Sequence, residues 1–280
     1  MIRLGICNEL FEGWDFQRVC ATVAALGYDG IEIAPFTLAP KVTDLPAWRR
    51  RELRETVVDA GLATIGLHWL LAKTEGLHLT SPDADTRRRT AAYLVELARA
   101  THDLGGSLMV FGSPKQRDLL PGVDYHQGMD FATEVFTAIL PALTAFEVDL
   151  CIEPLARSET NFLTSIDQAN DLIRRLDHDR VKLHLDVKAM SGDPGGSVTE
   201  LIAKHGAEAG HFHAQDTNLR GPGMGEVDFD PILKTLVASG YDGWVSVEVF
   251  DYSAGAEETA HASLACLRRE LHAARAHRGH

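Results

Sequence analysis

Four short apolar runs in the second half of the chain each carry an ionisable residue near their C-terminal end. The runs cover residues 149–155, 181–187, 210–214 and 243–250. Their ionisable residues are Glu153, Asp186, His213 and Glu248. Each run alternates with the two-residue period of a strand. The four residues are separated by 33, 27 and 35 positions, about one strand–helix unit of a parallel α/β barrel of roughly 250 residues. The pattern predicts four consecutive parallel strands whose C-terminal ends meet.

The same alternation of strand and helix patterns extends through the first half of the chain. Further strand patterns cover residues 2–7, 30–34, 63–69 and 107–111. Helical patterns cover residues 14–26, 46–60, 83–104, 125–147, 165–176, 197–206, 230–239 and 255–276. A regular order of this kind is typical of one α/β domain with a parallel sheet. We therefore predict the α/β class, with residues 1–280 forming a single (β/α)8 TIM barrel domain.

Composition excludes several classes of partner. The formal charge of −13, without a Lys/Arg-dense stretch, disfavours nucleic acid as a partner. No apolar run approaches the roughly 20 residues that span a bilayer, so we expect no membrane association. The four cysteines have no CxxC spacing, and the start of the chain reads as a strand. These features favour reduced thiols in a cytoplasmic protein. A homo-oligomer is compatible with the sequence, which leaves the oligomeric state open.

Strand parity groups the four ionisable residues on one surface. Residues two apart on a strand share a face, so Glu153 points the same way as Cys151, and Glu248 the same way as Ser246. In each such pair the second residue lies nearer the C-terminal rim, where barrels of this kind hold their active sites. The intervening positions should face the helices, and all of them are apolar. They are Ile152, Leu185, Phe212 and Val247.

Three carboxylates and an imidazole at one rim suggest a metal ion. One such carboxylate could equally cap a helix or pair with an arginine. All three together are an uncompensated negative cluster, which needs a cation. Three oxygen donors and one nitrogen suit Mn²⁺, Mg²⁺ or Co²⁺ better than a thiolate-preferring metal. We predict one divalent ion, with Mn²⁺ as the first choice, bound by Glu153, Asp186, His213 and Glu248.

Three segments carry a resemblance to a known family. Residues 152–161 (IEPLARSETN) resemble the ketose 3-epimerase segment in which a metal-binding Glu is followed six residues later by a second Glu. Residues 210–229 and 240–248 resemble the signatures of the seventh and eighth strands. The chain thus resembles the xylose-isomerase-like TIM-barrel sugar (phosphate) isomerases and epimerases. That family includes ketose 3-epimerases, hydroxypyruvate isomerase and inosose dehydratases.

The resemblance implies roles for individual residues. It makes the four clustered residues metal ligands and makes Glu153 and Glu248 the acid/base pair, one on each face of the sugar. Glu159 would orient Glu153 and contact the substrate. Arg220 would lie near a sugar hydroxyl, although the family arginine falls one residue earlier relative to the histidine. Physical reasoning supports the pair independently, because a polarised ketone can lose and regain the neighbouring proton through two opposed carboxylates.

The chain departs from the 3-epimerase pattern after the sixth strand. Those enzymes have a histidine three residues after the Asp ligand, where this chain has Ala189. Lys188 is a candidate for the missing substrate contact, with a rim salt bridge as the alternative.

Three other residues are candidates for the pocket. By the resemblance, His68 and Trp69 at the end of the third strand would wall the sugar pocket, although a core role for Trp69 is also open. Lys115, like Arg117 in the loop after the fourth strand, could meet a hydroxyl-rich substrate or lie in a solvated loop.

Several functions compete on this scaffold. The leading hypothesis is a metal-dependent isomerase or epimerase of a free ketose or keto-sugar, acting through an enediolate. We favour an unphosphorylated substrate because the glycine-rich loop at 221–225 lacks the helix N-terminus of a phosphate clamp. A lyase or dehydratase acting on a keto-sugar or inosose would use the same metal and base. An endonuclease-IV-like DNA repair enzyme would need extra histidines, including one where Ala189 stands. A sugar-binding protein without activity would not need two opposed carboxylates.

Overall fold

The chain folds into a closed barrel of eight parallel strands, each paired with the next and the last with the first. The computed structural model describes residues 1–277. The strands are β1 (Arg3–Cys7), β2 (Gly30–Ile33), β3 (Ala63–Leu67), β4 (Leu108–Phe111), β5 (Asp149–Ile152), β6 (Val181–Asp186), β7 (Ala209–Ala214) and β8 (Trp244–Val247). The predicted single TIM barrel is confirmed.

Helices surround the strands and alternate with them along the chain. They are α1 (Phe16–Leu26), α2 (Ala47–Asp59), α3 (Ala84–Asp103), α4 (Tyr125–Phe146), α5 (Ile166–Leu176), α6 (Val187–Met190), α7 (Val198–His205), α8 (Phe229–Ala238) and α9 (Ala256–His277). Several begin at a side chain that accepts hydrogen bonds from the free amides of the first turn. Asp15, Asp83 and Ser197 cap α1, α3 and α7 in this way, which stabilises a helix start by about 1 kcal/mol.

Apolar side chains form two separate cores. The outward faces of the strands pack against the helices, where Ile152, Leu185, Phe212 and Val247 are fully buried, as strand parity predicts. A smaller core lies inside the barrel and is formed by Ile65, Leu108, Val110, Cys151 and Trp244. The second core closes the barrel interior with apolar side chains. The polar residues of the interior therefore collect towards the C-terminal ends of the strands.

Several strands end earlier than the sequence pattern predicts. β5 stops at Ile152, two residues before Pro154, which has no amide proton for a strand ladder. β3 stops at Leu67, because Trp69 has a φ of 52° and cannot continue a strand. The short helix α6, which the pattern does not predict, starts directly after Asp186. In each place the chain leaves the strand at the rim, where the candidate site residues lie.

Among the described residues, α4 is the one helix with the length and apolar composition to cross a membrane. Its Met129, Val135, Phe136 and Ile139 are buried in the main core. Amphipathic helices with a buried apolar stripe are common on the outside of globular barrels. These four side chains form the face of α4 that packs in the main core.

Neighbouring valines on α2 allow a matched test of this packing. Val57 is buried and Val58 is 62% exposed. Val57→Ala removes two buried methyl groups and should lower the free energy of unfolding by about 2 kcal/mol. Val58→Ala should change it by less than about 0.5 kcal/mol. Denaturant unfolding followed by circular dichroism measures both, and equal effects would contradict the packing of α2.

Candidate active site

Four side chains converge at the C-terminal rim of the barrel. Glu153, Asp186, His213 and Glu248 each offer a ligand atom, and these atoms all lie within 4.8 Å of one another. All four residues are buried. Strand register produces the convergence, since Asp186 pairs with His213 across β6 and β7, and His213 pairs with Ser246 across β7 and β8. The structure thus contains a buried cluster of possible metal ligands.

The end of β4 shapes the position of Glu153. A Cβ atom at Gly112 would overlap Oε2 of Glu153, so the carboxylate occupies space that a residue other than glycine would fill. Arg117 is fully buried and donates hydrogen bonds to the carbonyls of Glu153 and Phe111, each at 2.6 Å. Its guanidinium ties the ends of β4 and β5 together. The hydrogen bond to its carbonyl fixes Glu153 through the backbone and leaves its carboxylate available.

The two carboxylate oxygens of Asp186 have different surroundings. Its Oδ1 accepts a hydrogen bond of 2.7 Å from the amide of Ala189 and so caps α6. Its Oδ2 is buried and has no hydrogen-bond partner. An unsatisfied buried oxygen is rare in folded proteins and calls for a ligand or an ion. The open oxygen belongs to the cluster of four.

Glu32 supports the cluster from inside the barrel. Its carboxylate accepts hydrogen bonds from Nε2 of His211 at 2.7 Å and from Nε2 of His213 at 3.1 Å. Because Nε2 of His213 donates to Glu32, its Nδ1 is left facing the cluster, 3.3 Å from Oε2 of Glu248. Such a carboxylate behind a histidine fixes its tautomer and ring orientation. The strand pattern does not by itself predict this role of Glu32, although a glutamate with inward parity in an apolar strand is the signal that points to it.

The charge balance of the cluster favours a cation. Burial, followed by the neighbouring Glu248 and Asp186, raises the pKa of Glu153 to about 8. Burial and Glu248 also raise the pKa of Asp186 to about 6. Burial acts in the same direction on Glu248, but the nearby imidazole of His213 and the contact with His68 hold its pKa well below the usual range. Two of the three carboxylates are thus short of positive charge, which a divalent ion would supply.

A cavity of about 100 Å³ opens onto the cluster. Four of the residues predicted to contact substrate line it, namely His68, Trp69, Glu159 and Lys188. Leu155, Pro114 and Phe250 add apolar walls. The volume is well below the 300–1,000 Å³ of pockets for drug-sized ligands. A small polar molecule is the kind of ligand that such a cavity fits.

Lys188 forms the salt bridge that the sequence offered as the alternative, and it also lines the cavity. Its Nζ lies 2.6 Å from Oε1 of Glu159, and the side chain lines the cavity. The ammonium group also lies 5.1 Å from the centre of the Phe250 ring. Burial lowers the pKa of Lys188, but the hydrogen bond to Glu159 and the negative charges of Glu159, Asp186 and Glu248 together outweigh it and hold that pKa above its usual value. Lys188 is therefore a protonated hydrogen-bond donor beside the cluster, and Glu159 balances its positive charge.

Two predicted substrate contacts lie away from this cavity. Lys115 is exposed and is not among the lining residues. Arg220 pairs with Asp251 at 2.8 Å and also donates to Ser253, and it does not line the cavity either. Of the two cations after β4, Arg117 is the one that turns inward. Residue type alone does not distinguish them, because loop residues follow no fixed period.

A larger cavity of the described structure lies elsewhere. It has a volume of about 560 Å³ and is lined by the N-terminal ends of strands, including Asp149, Val181 and Gly243. Active sites of these barrels form at the opposite, C-terminal face. The small cavity beside the four clustered residues is therefore the candidate active site.

Comparison with known proteins identifies the family of the chain. The family model described as xylose isomerase-like TIM barrel matches residues 20–270. The chain belongs to the xylose isomerase-like TIM barrel family.

Curated relatives of the chain include sugar epimerases and isomerases. A D-psicose 3-epimerase of Ruminiclostridium cellulolyticum is 27% identical over 241 residues, covering 84% of this chain and 78% of the relative. A putative hydroxypyruvate isomerase of Streptomyces coelicolor is 25% identical over 245 residues, covering 81% and 83%. A solved L-ribulose 3-epimerase superposes with a TM-score of 0.85 at 21% identity, covering 100% of this chain and 97% of that one, which is a likeness of fold.

The glycine beside Glu153 provides a test of the cluster. Gly112→Ala should displace the Glu153 carboxylate and weaken Mn²⁺ binding by about tenfold or more, since overpacking costs about 1–3 kcal/mol. Gly192→Ala is the matched control, because a Cβ there would have the carbonyl of Ala189 as its nearest neighbour at 3.9 Å. Isothermal titration with Mn²⁺ compares the variants, and equal affinities would contradict the proposed position of Glu153.

Proposed function

We propose that the protein is a divalent-metal-dependent epimerase or isomerase of a free ketose or keto-sugar. The observation that carries this proposal is a pair of buried glutamates, Glu153 and Glu248, on non-adjacent strands of one cluster that faces a small cavity. Relatives that are ketose 3-epimerases and hydroxypyruvate isomerases support the same class of reaction. Each of those reactions moves a proton on a carbon next to a carbonyl.

Glu153, Asp186, His213 and Glu248 would hold the ion. Their three carboxylates and one imidazole suit Mn²⁺ best, with Mg²⁺ or Co²⁺ as alternatives. The open Oδ2 of Asp186 and the Nδ1 of His213, both buried without a hydrogen-bond partner, fit this assignment. When bound, such an ion polarises a carbonyl and stabilises negative charge on neighbouring oxygens.

The two glutamates carry out the proton transfer at the carbon beside the ketone. One carboxylate removes the proton from the carbon beside the ketone, which gives an enediolate, and the other returns a proton from the opposite face. Glu153 is held through its backbone by Arg117, and Glu248 is held by side-chain contacts to His68, Trp69 and His213. Glu153 is thereby fixed at its backbone and Glu248 at its carboxylate before substrate binds, and orientation of this kind favours efficient proton transfer.

An unphosphorylated sugar fits the charges around the cavity. Among the described residues, Lys188 is the one lysine or arginine that lines it, and Glu159 already pairs with that lysine. A phosphate group would need further positive charge or a helix N-terminus. The Glu159–Lys188 pair offers both a donor and an acceptor, which suits hydroxyl groups.

We expect the enzyme to act in the cytoplasm, in keeping with four buried free cysteines.

Replacing either glutamate with glutamine tests the two-carboxylate mechanism. Glu153→Gln and Glu248→Gln should each lower kcat by about 10²–10⁴-fold, because each removes one proton-transfer group. Metal content, measured by elemental analysis after Mn²⁺ loading, shows whether the loss occurs with the ion retained. Near-normal turnover in either variant would rule out the mechanism that needs both carboxylates.

Isotope exchange separates an epimerase from a lyase on the same scaffold. An epimerase turning over in deuterium oxide should return ketose that carries deuterium at C3, since carboxylate protons equilibrate with solvent. A lyase would instead release water or another group and form an unsaturated or deoxy product that absorbs in the near ultraviolet. Mass spectrometry and proton NMR of the recovered sugars distinguish the two. Unlabelled ketose together with an absorbing product would exclude the epimerase.

A further inference from the structure

Trp69 has an unusual backbone conformation at the edge of the candidate active site. Its φ of 52° lies in the left-handed region, which bulky residues with a Cβ rarely adopt. The residue lies two positions after the end of β3, at the rim of the barrel, and it lines the cavity. Backbone strain of this kind persists only where surrounding contacts over-determine it, and it collects at functional sites. The contacts of the indole indicate what holds it.

The indole is fixed by two aromatic neighbours and one hydrogen bond. Phe36 and Phe250 pack edge-to-face against it, with ring centroids 6.4 and 5.5 Å away. The ring nitrogen Nε1 donates a hydrogen bond of 3.1 Å to Oε1 of Glu248. Aromatic pairs of this geometry orient a ring as well as burying it. The N–H group is therefore aimed at one carboxylate oxygen.

His68 approaches the same oxygen from another side. Its Nδ1 lies 3.2 Å from Oε1 of Glu248, and its Nε2 lies 3.0 Å from Oε2 of Glu9. The contact with Glu9 is an ion-pair distance without hydrogen-bond alignment, since Nε2 and both Glu9 oxygens have no aligned partner. Oε1 of Glu248 is thus contacted by Trp69 and His68, while Oε2 lies 3.3 Å from Nδ1 of His213. The two oxygens have separate surroundings.

We propose that Trp69 is a positioning residue for Glu248, held in the left-handed conformation so that its indole N–H fixes Oε1 and directs Oε2 at the reacting centre. This inference rests on the proposed function, in which Glu248 transfers a proton. It differs from a role as a cavity wall, because a wall needs the ring but not the N–H group. The strained backbone is the cost of aiming that group. Loss of the N–H alone should therefore impair turnover.

The kinetic test removes the N–H and keeps an aromatic ring. Trp69→Phe should lower kcat by about 10–100-fold at saturating Mn²⁺, the range for one hydrogen bond to a charged group. KM for the ketose should stay within about threefold. Trp48→Phe, on the exposed surface of α2, should leave both constants unchanged. A rise in KM at constant kcat would show a wall and overturn the proposal.

Replacing Trp69 with 3-benzothienylalanine sharpens the same test. This isostere keeps the bicyclic shape and carries sulfur in place of the N–H. It should reproduce the loss of kcat seen in Trp69→Phe. Recovery of the parent kcat would assign the loss to ring size and overturn the proposal.

A second measurement is independent of turnover. In protein labelled with ¹⁵N at the indole nitrogens, the signal lost in Trp69→Phe identifies Trp69. Glu248→Ala should shift that signal and speed its exchange with solvent, because the acceptor is gone, while the Trp48 signal stays in place. An unmoved Trp69 signal would overturn the proposal. If the parent protein turns over no ketose, the proposed function fails, and this spectrum still decides whether Trp69 holds Glu248.

Discussion

Buried negative charge is the constraint around which the rim of this barrel is organised. Glu9, Glu32, Glu153, Asp186 and Glu248 are all nearly excluded from solvent. A buried carboxylate is costly unless a cation or hydrogen-bond donors compensate it. Histidines compensate part of the set, because His68 lies between two of the glutamates and His211 and His213 both contact Glu32. Glu153 and Asp186 receive less compensation from hydrogen-bond donors and positive charge, and burial without it raises their pKa values.

The uneven compensation gives the two proposed catalytic glutamates different characters. Glu248 is surrounded by donors, and Glu153 is fixed mainly through its carbonyl. A carboxylate with donors is stabilised as an anion, and one without them retains its proton more readily. A difference of this kind between paired carboxyl groups is how many enzymes separate a base from an acid. Here it arises from the neighbours that each strand end supplies.

Strand phase predicted most of the fold and the four clustered residues. The two-residue period fixes which side chains point inward, and a parallel barrel brings all C-terminal strand ends to one rim. Both rules are local or topological, so Glu153, Asp186, His213 and Glu248 could be found from sequence. The end of β3 could not, because the two-residue period does not reveal the left-handed backbone of Trp69. The end of β5 could be predicted from Pro154, which has no amide proton for a strand ladder, although the period alone continues past it.

Contacts across the barrel and inside loops could not be predicted from the sequence. Glu32 meets His211 and His213 only because β2 and β7 face each other through the interior, a distance of about 180 residues along the chain. Lys115 and Arg117 differ in burial, because the turn after β4 directs Lys115 outward and Arg117 under Glu153. No periodic pattern encodes such a turn.

The buried Arg117 makes the loop after β4 part of the frame of the site. Its guanidinium joins two strand-end carbonyls, and Gly112 in the same loop leaves the space that the Glu153 carboxylate fills. The position of Glu153 therefore depends on the loop after β4, and exchange of that loop by grafting is expected to displace the Glu153 carboxylate as well as to change the wall of the cavity.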